Sequence, residues 1–153
     1  MRVVFQRVTS ASVTVDNNVV GSIRQGAILL LGIHESDTKA QADLLAKKCA
    51  EMRVFSDPDN RLNLSVKDIQ GGILVIPNFT LYGNCRHGRR PEFLEAAKPD
   101  IANPLFKYFV DAIRSQGVTH VSKGIFGADM HLDIQGDGPI TIILDSDQLS
   151  PKK

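Results

Sequence analysis

The sequence predicts a single domain of the mixed α/β or α+β class, in which helices cover a sheet. The chain has 153 residues, of which 42% are hydrophobic, and this length suits one domain with a core of its own. Segments with strand character outnumber segments with helical periodicity by about two to one, and the helical segments stand between strands. No repeat, low-complexity linker or change of composition divides the chain.

The composition narrows the classes of function. The sequence has 18 Lys and Arg against 17 Asp and Glu, a formal net charge of +1, so binding of nucleic acid through the overall charge is not expected. The longest apolar run, residues 27–32, is far shorter than the roughly 20 residues that cross a bilayer. With 2 cysteines, no CxxC pair and no signal-peptide pattern, we expect a soluble cytoplasmic protein with reduced thiols.

The beginning of the chain has the character of strands. Residues 3–8 and 12–15 are rich in strand-forming residues, and the second of these segments alternates apolar with polar side chains. Residues 16–18 predict a hairpin turn into the next strand, because asparagine tolerates positive φ. Residues 27–33 are apolar at both alternating positions, which predicts a central strand buried on both faces.

Two helices are predicted between the strands. Asp37 or Thr38 can cap the first helix. Its buried face is expected to consist of Leu45, Cys49 and Met52. The second helix is expected to begin with Asn103 as its N-cap and Pro104 in its first turn, and to end near Gly117.

The remaining strands are predicted at residues 73–76, 118–121, 130–134 and 140–144. Residues 55–63 are expected to form a loop, and residues 135–139 a hairpin loop between the last two strands. An X-Pro bond is cis in about 5–6% of cases, so the residues around Pro139 do not by themselves predict a cis bond. We expect the domain to span residues 1–148 and residues 149–153 to form a C-terminal tail.

Two segments carry groups that suit a site. Residues 77–83 end an apolar strand, where polar groups such as the Thr80 hydroxyl commonly line a site, although a simple strand hydroxyl is the alternative. Residues 124–130 contain two glycines that permit close backbone approach. Phe126 and Met130 could then hold a flat ring between them. The alternative is a tight turn anchored in the core.

A third segment is basic. Residues 86–90 place Arg86, His87, Arg89 and Arg90 together. A solvated loop is the simplest interpretation, and a patch for a phosphodiester backbone is the alternative. The 4 histidines lack the spacing of metal ligands, and the GxxxxGK[ST], GxGxxG and GxSxG patterns are absent from the sequence. We therefore expect neither a metal nor a cofactor.

A set of short motifs follows in a fixed order between residues 4 and 146. They are VFQRV (4–8), ASV (11–13), FTLY (79–82), GRRP (88–91), GIFGADM (124–130), DGPIT (137–141) and LDS (144–146). Together they resemble the D-aminoacyl-tRNA deacylase family, and the order and spacing of the whole set make the resemblance specific. It implies a single-domain deacylase-like fold with α/β/β layers.

The resemblance implies a homodimeric cytoplasmic enzyme whose substrate partner is tRNA. Such enzymes hydrolyse the ester that joins a D-amino acid, or glycine mischarged on tRNA(Ala), to the 3′-terminal adenosine. The active site then lies at the subunit interface, where Gly138 and Pro139 of one chain enter the pocket of the other. Their peptide bond is typically cis in this family, so that both carbonyl oxygens meet the α-amino group and an L side chain collides with backbone. Arg7 matches the family arginine that holds this loop.

The resemblance also implies that backbone groups carry the chemistry. The N–H groups of Phe79 and Thr80, beside Asn78, are the candidate donors to the developing oxyanion. The 2′-hydroxyl of the substrate's ribose is expected to assist. The rival mechanism uses Thr80 as a covalent nucleophile, which requires an adjacent base that the nearby sequence does not offer.

The remaining site residues follow from the same resemblance. Phe126, Gly127 and Met130 are expected to hold the adenine by stacking and apolar contact. Arg86, Arg89 and Arg90 are expected to contact the phosphates of the acceptor stem.

The chain departs from the family pattern where Pro77 and Asn78 replace Ser-Gln. Proline has no N–H donor, and asparagine is one methylene shorter than glutamine. A proline here also resembles a sister group that removes L-alanine from mischarged tRNA, whereas Arg7 and residues 137–141 favour the branch that selects by chirality. That relative, and a non-catalytic module that binds RNA or a nucleotide, stay open as alternatives.

Overall fold

One long strand, β1 (Arg2–Val15), organises the sheet in the computed structural model, which describes residues 1–149. The other strands are β2 (Asn18–Ile23), β3 (Gly26–Gly32), β4 (Phe55–Ser56), β5 (Leu62–Leu64), β6 (Gly72–Pro77), β7 (His120–Lys123) and β8 (His131–Asp145). The helices are α1 (Lys39–Glu51), α2 (Pro99–Ser115) and α3 (Ser146–Leu149), with a 3₁₀ helix at Phe79–Tyr82. This composition of elements confirms the predicted mixed α/β class.

Strand β1 pairs with three other strands. It is antiparallel to β8 along most of its length, to β3 through residues 2–8 and to β2 through residues 11–15. The turn between β1 and β2 contains Asp16 and Asn17, whose φ values are 49° and 63°. Positive φ at both central residues is the type I′ geometry of a two-residue hairpin, so the predicted turn is confirmed.

The middle of the sheet is parallel. Strand β3 pairs with β6, and β6 pairs with β7, in parallel register. Parallel neighbours need a crossover connection, and α1 and α2 lie in the two crossovers. Strand β3 is buried along most of its length, which confirms the predicted central strand.

Two apolar clusters lie on opposite faces of the sheet. Both long helices pack on one face of the sheet, in a core that contains Phe5, Leu29, Leu45 and Phe109. On the opposite face a smaller cluster joins the later part of β1 to β2, β3 and β6. Strand β1 therefore contributes side chains to both clusters, which lie on opposite faces of one six-stranded sheet.

The first helix begins as predicted, whereas the second does not. Thr38 caps α1, and its side chain forms a reciprocal capping box with Gln41. Helix α2 starts at Pro99, so the expectation that Asn103 caps it with Pro104 in the first turn is wrong. Proline suits the first helical position because it has no N–H to leave unpaired. The buried face of α2 begins at Ala102, before Pro104, and its burial favours the longer helix.

The segment expected to form a C-terminal hairpin loop is part of one continuous strand. Residues 135–139 lie within β8, and the predicted strand at 118–121 is found two residues later as β7. Gln6 pairs with Thr141 and Val8 with Gly136. Two residues along β1 therefore correspond to five residues along β8. Residues 137–140 project as an enlarged bulge and do not reverse the chain.

The end of the chain adds one turn of helix. Leu149, placed in the expected tail, ends α3 and packs against the main core. Residues 150–153 lie outside the described residues, so the expected boundary at residue 148 stays a prediction. Within residues 1–149, no helix is both long and apolar enough to cross a membrane.

Candidate active site

A cavity of about 370 Å³ lies where β3 and β6 end, between the 3₁₀ helix and the start of α2. This volume is in the range of small-molecule sites. The lining is Leu31, Ile33, Pro77, Asn78, Phe79, Phe93, Ala96, Ala97, Lys98, Pro99, Ala102, Phe126 and Gly127. Apolar side chains predominate, which suits the binding of a flat ring.

The backbone beside the cavity presents two free donors. The N–H of Asn78 donates to the carbonyl oxygen of Leu31 at 2.8 Å, and the chain then turns into the 3₁₀ helix. The N–H groups of Phe79 and Thr80 stand in the first turn of that helix, where no intrahelical acceptor exists. Within residues 1–149 neither group has a hydrogen-bond acceptor. These are the two donors expected from the sequence.

The Thr80 hydroxyl is hydrogen-bonded to a neighbouring side-chain amide. Its Oγ1 donates to the Oδ1 of Asn78, and an amide oxygen is not a base. No His, Asp or Glu side chain contacts Thr80 Oγ1 in the described part of the chain. The arrangement lacks the base that a threonine nucleophile requires.

Arg2 holds the 3₁₀ helix in place, although the sequence did not identify it as a site residue. The guanidinium of Arg2 lies 4.5 Å from the centroid of the buried Tyr82 ring. One Arg2 amino group also donates to the carbonyl oxygen of Leu81 at 3.0 Å. Burial, and next the charge of Asp37, raises the pKa of Tyr82 well above its usual value. Tyr82 is thus a neutral packing residue.

Only two of the three residues expected from segment 124–130 line the cavity. The N–H of Gly124 donates to the carbonyl oxygen of Val75 at 2.9 Å. Phe126 and Gly127 line the cavity, and the Phe126 ring lies 6.4 Å from that of Phe106. Met130 does not line it: its sulfur lies 2.7 Å from where a Cβ at Gly124 would stand, and it packs on the smaller cluster. The structure therefore does not place a ring between Phe126 and Met130.

Arg7 holds the bulge of β8. Its Nε lies 3.2 Å from both the carbonyl oxygen and the carboxylate of Asp137, and its Nη1 donates to the carbonyl oxygen of Val54 at 2.9 Å. The next peptide bond, between Gly138 and Pro139, is cis. Both of these residues are exposed.

The bulge is separate from the cavity of its own chain. Arg7 pairs with Ala27, whereas the cavity begins at Leu31, and four residues of strand span about 13 Å. Gly138 and Pro139 are absent from the cavity lining found among residues 1–149. One chain therefore brings together Asn78, Phe79, Phe126 and Gly127, and leaves Arg7, Gly138 and Pro139 elsewhere.

The basic segment shortly precedes Phe93, a residue that lines the cavity. Asn84 and Glu92 exchange two backbone hydrogen bonds, of 2.8 and 3.0 Å, and close a loop that carries Arg86, Arg89 and Arg90. All three arginines are exposed. The loop leads into Phe93, which lines the cavity and contacts Phe79 edge-on with 5.1 Å between ring centroids.

The wall from Phe93 to Pro99 was missed by the sequence analysis. These residues belong to no regular strand or long helix until α2 starts. Because the helix was expected to begin at Asn103, the residues before it were assigned no role. The proline at 99 was the available signal, since proline favours the first helical turn. Among residues 1–149, no group of three or more His, Cys, Asp or Glu side chains is placed to hold a metal ion.

The comparisons with known proteins give one consistent family. The sequence model of the family described as D-Tyr-tRNA(Tyr) deacylase matches residues 4–145. The D-aminoacyl-tRNA deacylase of Thermus aquaticus is 50% identical over 148 residues, which are 97% of each chain. That of Fervidobacterium nodosum is 47% identical over 146 residues, which are 95% of this chain and 97% of the other.

Two solved structures share the fold. The c-Myc DNA Unwinding Element Binding Protein has a TM-score of 0.90 and 36% identity, covering 99% of this chain and 100% of its own. A probable eukaryotic D-amino acid tRNA deacylase has a TM-score of 0.81 and 18% identity, covering 94% and 97%. At that identity the second structure supports the fold alone.

Amide hydrogen exchange tests the free donors. We expect the amides of Phe79 and Thr80 to exchange at least about a hundredfold faster than that of Asn78, because only Asn78 has a backbone acceptor. Nuclear magnetic resonance of the labelled protein in deuterated water measures the three rates side by side. Protection of Phe79 and Thr80 equal to that of Asn78 would show that both N–H groups are already bonded.

Proposed function

The chain belongs to the D-Tyr-tRNA(Tyr) deacylase family, and from that membership we propose that it hydrolyses the ester between a D-amino acid and the 3′-terminal adenosine of tRNA. The observation that carries the proposal is the cavity with two unbonded N–H groups, those of Phe79 and Thr80, beside it. Glycine mischarged on tRNA(Ala) is included, because it has no side chain to exclude. The proposed compartment is the cytoplasm, where aminoacylated tRNA is found.

The proposed reaction uses main-chain donors. The adenine lies against Phe126 and Gly127, and the ester carbonyl oxygen accepts from the N–H groups of Phe79 and Thr80. A water molecule attacks the carbonyl carbon, the bond to the ribose 3′ oxygen breaks, and the proton that the water gives up passes to that oxygen with help from the neighbouring 2′-hydroxyl. Donors directed at a developing oxyanion lower the barrier by on the order of 3–4 kcal/mol each. An aminoacyl ester is already activated, so no strong nucleophile is needed.

Selection by chirality is proposed to come from a second copy of the chain. Gly138 and Pro139 are exposed in the bulge that Arg7 fixes, yet neither residue lines the cavity of its own chain among residues 1–149. In a homodimer the Gly138 and Pro139 carbonyl oxygens would enter the partner's cavity and accept from the α-amino group of the substrate. The side chain of an L-amino acid would then meet backbone, whereas that of a D-amino acid would point away.

Thr80 is proposed to act through its backbone. Its hydroxyl donates to Asn78 and contacts no base in the described residues, which supports a positioning role. Pro77 lines the cavity without offering an N–H, so the donor set begins at Phe79. The loop with Arg86, Arg89 and Arg90 is proposed to contact phosphates of the acceptor stem, because it is exposed and leads into Phe93 of the cavity lining.

Two alternatives are kept on specific grounds. One of the similar solved structures is named for binding a DNA unwinding element, which favours a nucleic-acid module without turnover as the second candidate. The proline at position 77 favours the relative that removes L-alanine. Both alternatives predict outcomes that differ from those of a chirality-selective deacylase.

The direct test compares the rates at which D-Tyr-tRNA, L-Tyr-tRNA, glycyl-tRNA(Ala) and L-Ala-tRNA lose their amino acid, with and without a chelator. We expect D-Tyr-tRNA to be hydrolysed at least about a hundredfold faster than L-Tyr-tRNA, because the L side chain meets backbone. Glycyl-tRNA should also be hydrolysed, and the chelator should have no effect. Binding of tRNA without turnover would favour the module, and cleavage of L-Ala-tRNA would favour the other deacylase.

Replacement of Thr80 separates the two mechanisms. Thr80→Ala removes the hydroxyl and keeps the backbone N–H, so the turnover of D-Tyr-tRNA should stay within about tenfold of the original rate, a change of no more than ~1.4 kcal/mol in the barrier. Thr9→Ala, which changes an exposed threonine on β1, is the matched control. A loss of about a thousandfold in a folded Thr80→Ala protein would restore the nucleophile mechanism.

Replacement of Pro139 tests the selection step. Pro139→Ala releases the ring constraint on φ in the bulge, so the ratio of D-Tyr-tRNA to L-Tyr-tRNA cleavage should fall by about tenfold or more. The variant should stay folded in the absence of denaturant, because the side chain is exposed and lies outside the core. Urea unfolding and the two cleavage rates measure these quantities.

The control for this variant is Pro58→Ala, which alters an exposed proline in the turn before β5. It should leave both the selectivity and the stability unchanged. If Pro139→Ala lost stability and kept full selectivity, the bulge would be a structural element only.

A further inference from the structure

The cavity carries a single formal charge. Of the residues that line it within the described chain, only Lys98 belongs to a charged residue type, and Asn78 is the other polar side chain. The rest of the lining is apolar side chain or glycine backbone. A lone cation in an apolar pocket fixes the orientation of an anionic group on the ligand.

The backbone of Lys98 is fixed while its side chain is free. Its carbonyl oxygen accepts from the N–H groups of Ile101 and Ala102 at 3.0 and 2.8 Å, which anchors the residue at the start of α2. The side chain forms no ion pair with any carboxylate in residues 1–149, and it is exposed. A lysine buries its aliphatic stem along apolar surface and keeps the ammonium group in water, so this charge stands at the mouth of the cavity.

Three walls of the cavity have different chemistry. Phe126 and Gly127 form an apolar wall, and Phe79, whose N–H group has no acceptor among residues 1–149, lies at a second one. The third wall is the segment from Ala96 to Ala102, which contains Lys98. If the adenine lies at the first wall and the ester on the ribose lies at the second, the 5′ oxygen of the same ribose points towards the third wall, which contains Lys98.

We propose that Lys98 binds the 5′-phosphate of the terminal nucleotide, so that the cavity takes a 5′-phosphorylated adenosine in preference to the nucleoside. This inference rests on the proposed function, because it uses the adenosine and ester positions given there. Lysine suits the role since its ammonium group is a compact charge on a flexible stem that phosphate oxygens can approach from several directions. A lysine that merely covers apolar surface would show no preference between the two ligands.

The first test measures binding by calorimetry with adenosine, 5′-AMP and a CCA trinucleotide as probes. The original protein should bind 5′-AMP about tenfold more tightly than adenosine. Lys98→Gln should abolish this preference and leave adenosine binding unchanged, whereas Lys98→Arg should retain most of it. Lys107→Gln, at an exposed position on α2 that does not line the cavity, is the matched control and should behave as the original protein.

The second test measures cleavage of D-Tyr-tRNA at several salt concentrations. Lys98→Gln should raise KM by about tenfold with little change in kcat, because the phosphate contact is the same in the ground and transition states. For Lys98→Gln, the slope of log KM against log salt concentration should be smaller by about 0.7, which is the contribution of one phosphate contact on a single strand. A structural role for Lys98 would not change that slope.

The outcomes separate the inference from the proposed function. If the original protein cleaves D-Tyr-tRNA and Lys98→Gln keeps the preference for 5′-AMP, the inference about Lys98 alone is overturned. If 5′-AMP binds more tightly than the CCA trinucleotide, the site is one for a free nucleotide, and the assignment to the tRNA end is overturned. If the original protein neither cleaves D-Tyr-tRNA nor binds adenosine, the proposed function fails, and the inference fails with it.

Discussion

Strand β1 forms backbone hydrogen bonds with three strands at once, and this shared pairing determines where the functional groups lie. Its early residues pair with β3 and its later residues with β2, so it joins these strands in one sheet. On the other edge of β1, the partners of Gln6 and Val8 lie five residues apart in β8. The extra residues of β8 project as a bulge. Arg7, the residue between Gln6 and Val8, joins this bulge to Val54 through its guanidinium. A single strand thus positions the Gly138 segment against the rest of the fold.

The cavity arises from a different part of the same sheet. Strands β3 and β6 run parallel and end together, and the chain leaves β6 through a 3₁₀ helix whose first two N–H groups have no acceptor in the described residues. Arg2 stabilises this helix by packing over Tyr82 and bonding to Leu81. The proposed reaction therefore uses main-chain groups, whose positions depend on how the chain leaves the sheet. This explains why a threonine without a base, Thr80, fits the proposed reaction.

Much of the fold could be predicted because the deciding signals are local. The turn at residues 16–17 needs only positive φ, and the central strand needs only apolar residues on both faces. The start of α2 and the form of residues 135–139 were predicted wrongly, because the same local rules were applied where tertiary partners decide. Pairing with β1 keeps β8 continuous through its Gly-Pro sequence, and the buried face of α2 extends that helix past Pro104 to Pro99. The missed wall around Lys98 follows from that error.

The decisive measurement is a crystal structure with a non-hydrolysable D-tyrosyl-adenosine analogue, in which an amide replaces the ester. We expect the analogue's carbonyl oxygen to lie within hydrogen-bond distance of the N–H groups of Phe79 and Thr80. We also expect its α-amino group to contact the carbonyl oxygens of the partner subunit's Gly138 and the partner subunit's Pro139. An analogue bound in a lone chain, with no second copy near its α-amino group, would rule out selection by the partner's backbone.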